Sequence, residues 1–158
     1  GLPLFAQHVD PIDTGTLVDI FRDDPHASLL GTDALRDGVD VPGHSLRLVV
    51  MEQIPWPRPD ILHRARRLKN GGIGFDDRII RAKMAQAFGR LIRSAGDKGH
   101  FVLLSSAVPS RLLSAFPLGT PIRRVTLEEA VRSVKSGLSS DTNLRQEVGN
   151  QLEESNPI

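Results

Sequence analysis

Apolar residues along this chain fall into short continuous runs, separated by longer stretches in which they recur every three or four positions. Leu2 to Ala6, Ala27 to Leu30, Leu46 to Met51 and Phe101 to Leu104 are such runs, bounded by turn residues, and they predict buried parallel strands. The helical recurrence predicts a helix over Thr14 to Arg22, with Leu17, Val18 and Phe21 on one face and Asp13 or Thr14 as its cap. Further helices are predicted over Asp60 to Leu68, Asp76 to Ala95, and Ser110 to Phe116 after Pro109. Strands alternating with helices predict an α/β domain whose mostly parallel sheet is covered on both faces. Lys69 to Gly74 places three glycines in four positions, which gives the backbone little restraint and predicts a mobile loop.

After Pro121 the pattern changes, so the chain is predicted to divide into a domain over 1–120 and a helical extension over 121–158. Thr126-Leu127-Glu128-Glu129 reads as a capping box that opens a helix with Leu127, Ala130, Val131 and Val134 inward. A weaker helix is predicted from Asp141 to Leu152, with Glu153 to Ile158 frayed. The extension is expected to pack on the domain.

The helix predicted over Asp76 to Ala95 contains Gln86-Ala87-Phe88-Gly89-Arg90-Leu91-Ile92-Arg93. At about 100° per residue, a helix sets Gln86, Arg90 and Arg93 within roughly 60° of one another. Met84, Ala87, Phe88, Leu91 and Ala95 gather on the opposite side, so Phe88 and Leu91 are predicted to be buried and the arginines to point away. Two fixed guanidinium forks and an amide suit an anion arriving from outside, because they grip phosphate oxygens directionally. A solvated face of good helix formers is the other reading of the same stripe.

Upstream, Leu30 to Gly43 spaces glycines at 31, 38 and 43 with carboxylates at 33, 37 and 40, as a loop between two strands would. Gln53 to Asp60 follows, broken by prolines and unable to form helix interior. In this order the segments resemble the C-terminal motor domain of DinG/XPD-type superfamily 2 DNA helicases, with Gly31 to Gly43 as motif V and Gln86 to Arg93 as motif VI. The resemblance runs from about Pro3 to about Pro117, and Gln-x-x-Gly-Arg-x-x-Arg is its most specific element. Two places depart from the family. Ala34-Leu35-Arg36-Asp37 stands where Ser-Phe-Trp-Glu is usual, and Ser105, Ser106 and Ala107 stand where an Asp and an Arg often follow the late strand.

The resemblance implies a RecA-like parallel sheet flanked by helices, of the P-loop NTPase type. It implies ATP and Mg2+ as cofactors, and it implies roles for particular residues. Arg93 would be the arginine finger, Arg90 its neighbour on the phosphates, and Gln86 the residue that orients the arginines or the attacking water. Gly38 and Asp40 of motif V would line the nucleotide side of the cleft and link it to bound DNA. By residue type alone, Asp40 is equally a turn carboxylate capping its own loop. No particular side chain is assigned to nucleic-acid contact.

Charge and composition change this picture little. The formal net charge of the 158 residues is +1, yet Arg58 to Lys98 is strongly basic while Asp10 to Asp40 is acidic, as a helicase half-domain or many solvated surfaces would be. Cysteine is absent, so an iron–sulfur cluster, which relatives often carry in the other motor domain, is possible only outside this chain. No run of eighteen apolar residues and no leader occurs, which predicts a soluble, cytoplasmic protein without membrane contact. His8, His26, His44, His63 and His100 lack metal-ligand spacing and read as surface or satisfied core residues, so no metal site is predicted. Ser105-Ser106 reads as a strand end, and Trp56, between Pro55 and Pro57, as an aromatic packed on the core in preference to a base-stacking platform.

No Gly-x-x-x-x-Gly-Lys-Ser/Thr loop and no acidic pair for magnesium occurs in the chain. The expectation is therefore a fragment of a longer helicase, cut before the strand that follows Gly1. Its partner, the first motor domain, would supply the phosphate loop and the magnesium ligands, and single-stranded DNA would be the second partner. Two functions stand: the motor half of an ATP-dependent DNA helicase acting in DNA repair, or a non-catalytic nucleic-acid-binding or docking module that retains the helicase fold.

Overall fold

The structure, a computed structural model, describes residues 3–33, 35, 41, 46–93, 96–105 and 107–139. Strand β1 (Leu4–Ala6) leads through helix α1 (Thr14–Asp23) to β2 (Ser28–Leu30), and the strands pair in parallel, Leu4 opposite Ser28 and Ala6 opposite Leu30. Strand β3 (Leu48–Met51) leads through α2 (Ile61–Lys69) and α3 (Ile73–Leu91) to β4 (His100–Leu103), again in parallel, from Leu48 opposite His100 to Met51 opposite Leu103. Parallel pairing through helical crossovers makes this an α/β fold. Among the described residues the strands form two separate pairs and not the single sheet the sequence predicts. Each pair is covered by its own helix, α1 against β2 and α3 against β3 and β4.

Two apolar clusters result. Val18 and Phe21 of α1 meet Leu35 and Val41, with Ala27, Leu29 and Leu46 around them. Ile80 and Met84 of α3 meet Ile54 and Leu112, with Leu103, Val108, Ala115 and Phe116 around them. Leu112 lies in the segment Ser110–Ala115, which is a 3-10 helix where the sequence predicts an α-helix.

Helix α1 begins where predicted. The Asp13 carboxylate accepts from Thr16 N at 3.1 Å and from the Thr16 hydroxyl. These bonds, the hydroxyl's first, hold the Asp13 carboxyl below its ordinary value. A carboxylate lowered in this way supports the fold above its unfolded value, and the support fades as pH falls through the lowered one.

The predicted mobile loop is shorter and more tightly bonded than expected. Gly71 and Gly72 take φ of 95° and 64°, a region that glycine enters without penalty, and α3 starts immediately after them, absorbing Gly74. Gly72 N donates to Arg67 O at 2.8 Å, Asn70 Nδ2 to Arg66 O at 2.6 Å, and Arg78 Nη2 to Asn70 O at 2.9 Å.

Helix α2 reverses the usual polarity of a packed helix. None of its residues is buried. Its inner contacts are polar: His63 Nε2 lies 2.9 Å from Asp76 Oδ1, Arg67 Nε lies 2.7 Å from Asp76 Oδ2, and the His63 ring stacks on Phe75 at 5.9 Å. Ile61 and Leu68 are left 87% and 86% exposed. Asp76, nearly buried, is the fixed point that holds α2 to α3.

The predicted helix Asp76 to Ala95 is corrected at both ends, since α3 spans Ile73–Leu91. Its last helical bond runs from Ile92 N to Phe88 O, at 2.9 Å. Arg93 N, which would donate to Gly89 O in a continuing helix, donates to Asp97 Oδ2 at 2.7 Å, and Ile92 is extended at φ −119° and ψ 104°. Leu91 is buried as predicted, whereas Phe88 is half-buried, packed edge-on against Phe116 and tilted against Phe101. Ala95 lies outside the described residues.

Trp56 is 47% exposed, contrary to the predicted core position. Trp56 N donates to Ile54 O at 2.8 Å, a three-residue turn that leaves Ile54 to fill the core. No helix among the described residues is long and apolar enough to cross a membrane.

The chain divides into two compact units, Gly1–Thr120 and Pro121–Ile158. The second contains helix α4, which is described over 127–139. Its capping box is reciprocal: Glu129 N donates to Thr126 Oγ1 at 3.2 Å and Thr126 N to Glu129 Oε2 at 3.0 Å. Leu127 and Val131, predicted inward, are 64% and 45% exposed; the covered stripe is narrower, with Ala130 and Val134 one turn apart. The segments predicted over Asp141 to Leu152 and Glu153 to Ile158 lie outside the described residues.

Candidate functional site

The last turns of α3 and the residues just after them carry the predicted anion-gripping set. Met84, Ala87 and Leu91 anchor the helix from below, which fixes the opposite stripe outward. Gln86 and Arg90, four residues apart, are neighbours on that stripe, Gln86 exposed and Arg90 half-buried. Gly89 lies beside them. A Cβ built there meets no atom of a neighbouring described residue within 4 Å, so none of them requires this glycine, although glycine weakens a helix relative to alanine. What it leaves is bare backbone between two long polar side chains.

Arg93 is exposed but is not on the helix. It reaches the others by another route. The bond from Arg93 N to the Asp97 carboxylate turns the chain, and Arg93 Nε donates back to Arg90 O at 3.3 Å. The turn is also held from beneath. A Cβ on Gly99 would stand 2.5 Å from Leu91 Cδ1 and 2.9 Å from Arg47 O, so Gly99 lets the chain entering β4 close over the end of α3.

The segment that resembles motif V is only partly described, and Gly38 and Asp40 lie outside the described residues. Its entry is held at the carboxyl end of β1, where Gln7 Oε1 accepts from Thr32 N and Thr32 Oγ1, both at 3.0 Å. Gln7 Nε2 donates to Thr14 Oγ1 at 3.1 Å, and Gln7 N to Leu30 O at 2.8 Å. Carboxyl ends of parallel strands are where α/β folds receive ligands. Gly31 lies directly under Leu35, whose Cδ1 would stand 1.7 Å from a Cβ there. Asp33 then joins this segment to α3, its Oδ2 lying 2.8 Å from Lys83 Nζ.

Several of these residues are absent from the sequence-based site. Lys83 is three residues before Gln86 on the same stripe, a signal legible in the helical period. Gln7 and Asp97 carry none, because their partners are fixed only by the fold. Nor do the buried carboxylates Asp76 and Asp77, the latter accepting from Arg111 Nε at 2.7 Å. His63, read as a surface or satisfied core residue, is paired with Asp76.

The donor set fits a phosphate group better than a metal ion. Gln86 and Arg90 share the outward stripe of α3 and Arg93 follows just after it, whereas no group of three or more His, Asp or Glu residues suited to a metal occurs among the described residues.

Comparison with known proteins shows the family. Residues 1–117 match the helicase C-terminal domain family. The chain is 39% identical to the ATP-dependent helicase DinG of Mycobacterium tuberculosis H37Rv over 123 residues, covering 72% of this chain and 18% of that protein. It is 35% identical over 115 residues to the 3'-5' exonuclease DinG of Bacillus subtilis, covering 68% of this chain and 12% of that protein. Against the ATP-dependent DNA helicase YoaA of Escherichia coli K12 the identity is 37% over 107 residues, covering 61% and 16%. The chain thus spans less than a fifth of the length of these relatives. No solved structure matches.

Proposed function

Since the chain belongs to the helicase C-terminal domain family, of the DinG type, we propose that it is the second, RecA-like motor domain of an ATP-dependent DNA helicase acting in DNA repair. The observation that carries this is the outward stripe of α3, where Gln86, the open position at Gly89 and Arg90 lie together and Lys83 ties the stripe to the motif V segment.

Phosphoryl transfer spreads charge over the transferred group's oxygens, and positioned cations stabilise it. Arg93 acts as the finger, leaving the Arg90 carbonyl to meet the γ-phosphate. Arg90 holds the neighbouring phosphates, and Gln86 orients the arginines or the attacking water. Gly38 and Asp40 border the nucleotide and relay its state to single-stranded DNA. The first motor domain supplies the phosphate loop and the magnesium ligands, since this chain's contribution is cationic. ATP, when bound between the domains, supplies the group transferred. The isolated chain accordingly shows no ATP turnover, and a coupled phosphate-release assay on it should stay at background with and without Mg2+.

Gly89 gives a sharper test. Gly89→Ala should stabilise the 158-residue chain by up to about 1 kcal/mol, because alanine is the better helix former and its methyl group meets open space. In the full-length protein the same methyl group intrudes where phosphate and arginine must approach, and ATP turnover should fall roughly ten- to a hundredfold. A variant both more stable and fully active would show that phosphate does not approach at Gly89, whereas an unaltered full-length protein without ATP turnover would favour the second reading, a nucleic-acid-binding or docking module without catalysis. The departures at Ala34 to Arg36 and at Ser105 to Ala107 lean slightly toward that second reading, whereas the intact Gln86, Arg90 and Arg93 favour the first.

A further inference from the structure

The two apolar clusters of the first unit are built from different parts of the chain. Leu35 and Val41 of the motif V segment belong to the cluster under α1, whereas α3 belongs to the cluster with Ile54 and Leu112. Asp33 and Lys83, fifty residues apart, join the two at 2.8 Å. Lys83 is 27% exposed and Asp33 54%. An ion pair this open to water adds little to stability, because solvent and salt screen it. A contact that contributes little to stability yet spans two separately packed parts is well suited to setting their relative position.

Its location gives that position a meaning. Asp33 lies two residues beyond Gly31, where the chain is pinned by the Gln7–Thr32 bonds and by Leu35 packed over Gly31. Asp33 stands between the two pinning contacts, at Thr32 and Leu35, so the held entry of this segment is tied to α3 through its carboxylate. On α3 the receiving group is Lys83, one turn before Gln86 and two turns before Arg90 on the same stripe.

We propose that the Asp33–Lys83 pair is a positioning latch that sets the motif V segment against the arginine-bearing helix and so transmits DNA occupancy to ATP turnover. The inference rests on the motor reading above. Neither residue touches nucleotide; each acts through the other.

The test uses the full-length protein and reads the ratio of ATP turnover at saturating single-stranded DNA to turnover without DNA. Asp33→Lys and Lys83→Glu should each lower that ratio about two- to thirtyfold, the range that coupling residues command. The double variant Asp33→Lys/Lys83→Glu should recover most of it, since the pair is restored with its charges exchanged. A structural role alone would instead lower both rates and the melting temperature together, leaving the ratio in place. If each single variant keeps the wild-type ratio, or if the double variant shows only the product of the two losses, the latch is wrong. Arg93→Ala measured alongside keeps the failures apart. Should that variant turn ATP over normally, the motor reading falls; should it be inactive while the charge variants keep their ratio, only the latch falls.

Discussion

Replacing Arg93 by alanine in the full-length protein is expected to lower ATP turnover by roughly a thousandfold or more, the range over which arginine fingers act. The loss should appear in kcat with little change in KM, because the guanidinium meets charge that develops mainly in the transition state. Arg93→Lys should recover little, since a point charge on a flexible stem does not reproduce a planar fork. The fold should survive either change: Arg93 is exposed, and the turn it occupies is held by its own backbone N–H on Asp97 and by Leu91 under Gly99. Wild-type turnover by Arg93→Ala would return the polar stripe of α3 to a solvated surface.

The largest effect on stability is expected from Ile80→Ala. Ile80 is fully buried, packed with Ile54, Met84 and Leu112. Deleting most of such a side chain removes its transfer free energy and leaves a cavity, together about 2–5 kcal/mol. Against a total of roughly 5–15 kcal/mol for a domain, that is a large fraction. Urea unfolding of the 158-residue chain should show the midpoint falling with the slope unchanged, as for a loss of packing without a change in the surface exposed. A midpoint within error of the wild type would mean that α3 is not seated on this cluster.

The sequence carries these two residues unequally well. Met84, Ala87 and Leu91 follow the helical period, so the buried face of α3 is visible in the sequence, and so is the shared outward stripe of Gln86 and Arg90. Arg93 obeys the same period but lies past the helix, its backbone N–H donating to Asp97 Oδ2 where a continuing helix would use Gly89 O. No periodicity encodes that bond; it belongs to a turn closed by Gly99 against Leu91 and against Arg47, a residue distant in sequence. The strands were legible to within a few residues because apolar runs between turn residues mark them. Their division into two pairs was not, since pairing partners depend on how the helices cover them. The Asp13 cap and the Thr126–Glu129 box were legible because capping is local chemistry over three residues. The Lys69 to Gly74 segment misled for the converse reason: its glycines permit a mobile loop, but they also permit the left-handed turn that joins α2 to α3.

The attachment of α2 differs in kind from that of its neighbours. It is clasped through His63 and Arg67 to Asp76, whereas α3 is seated by apolar burial. Apolar association weakens on cooling, while the penalty for dehydrating ions falls on warming. Within one unit, two adjoining helices are held by forces that differ in their response to temperature. Cooling therefore weakens the seat of α3 more than the clasp of α2, whose partners at the nearly buried Asp76 are largely shielded from added salt.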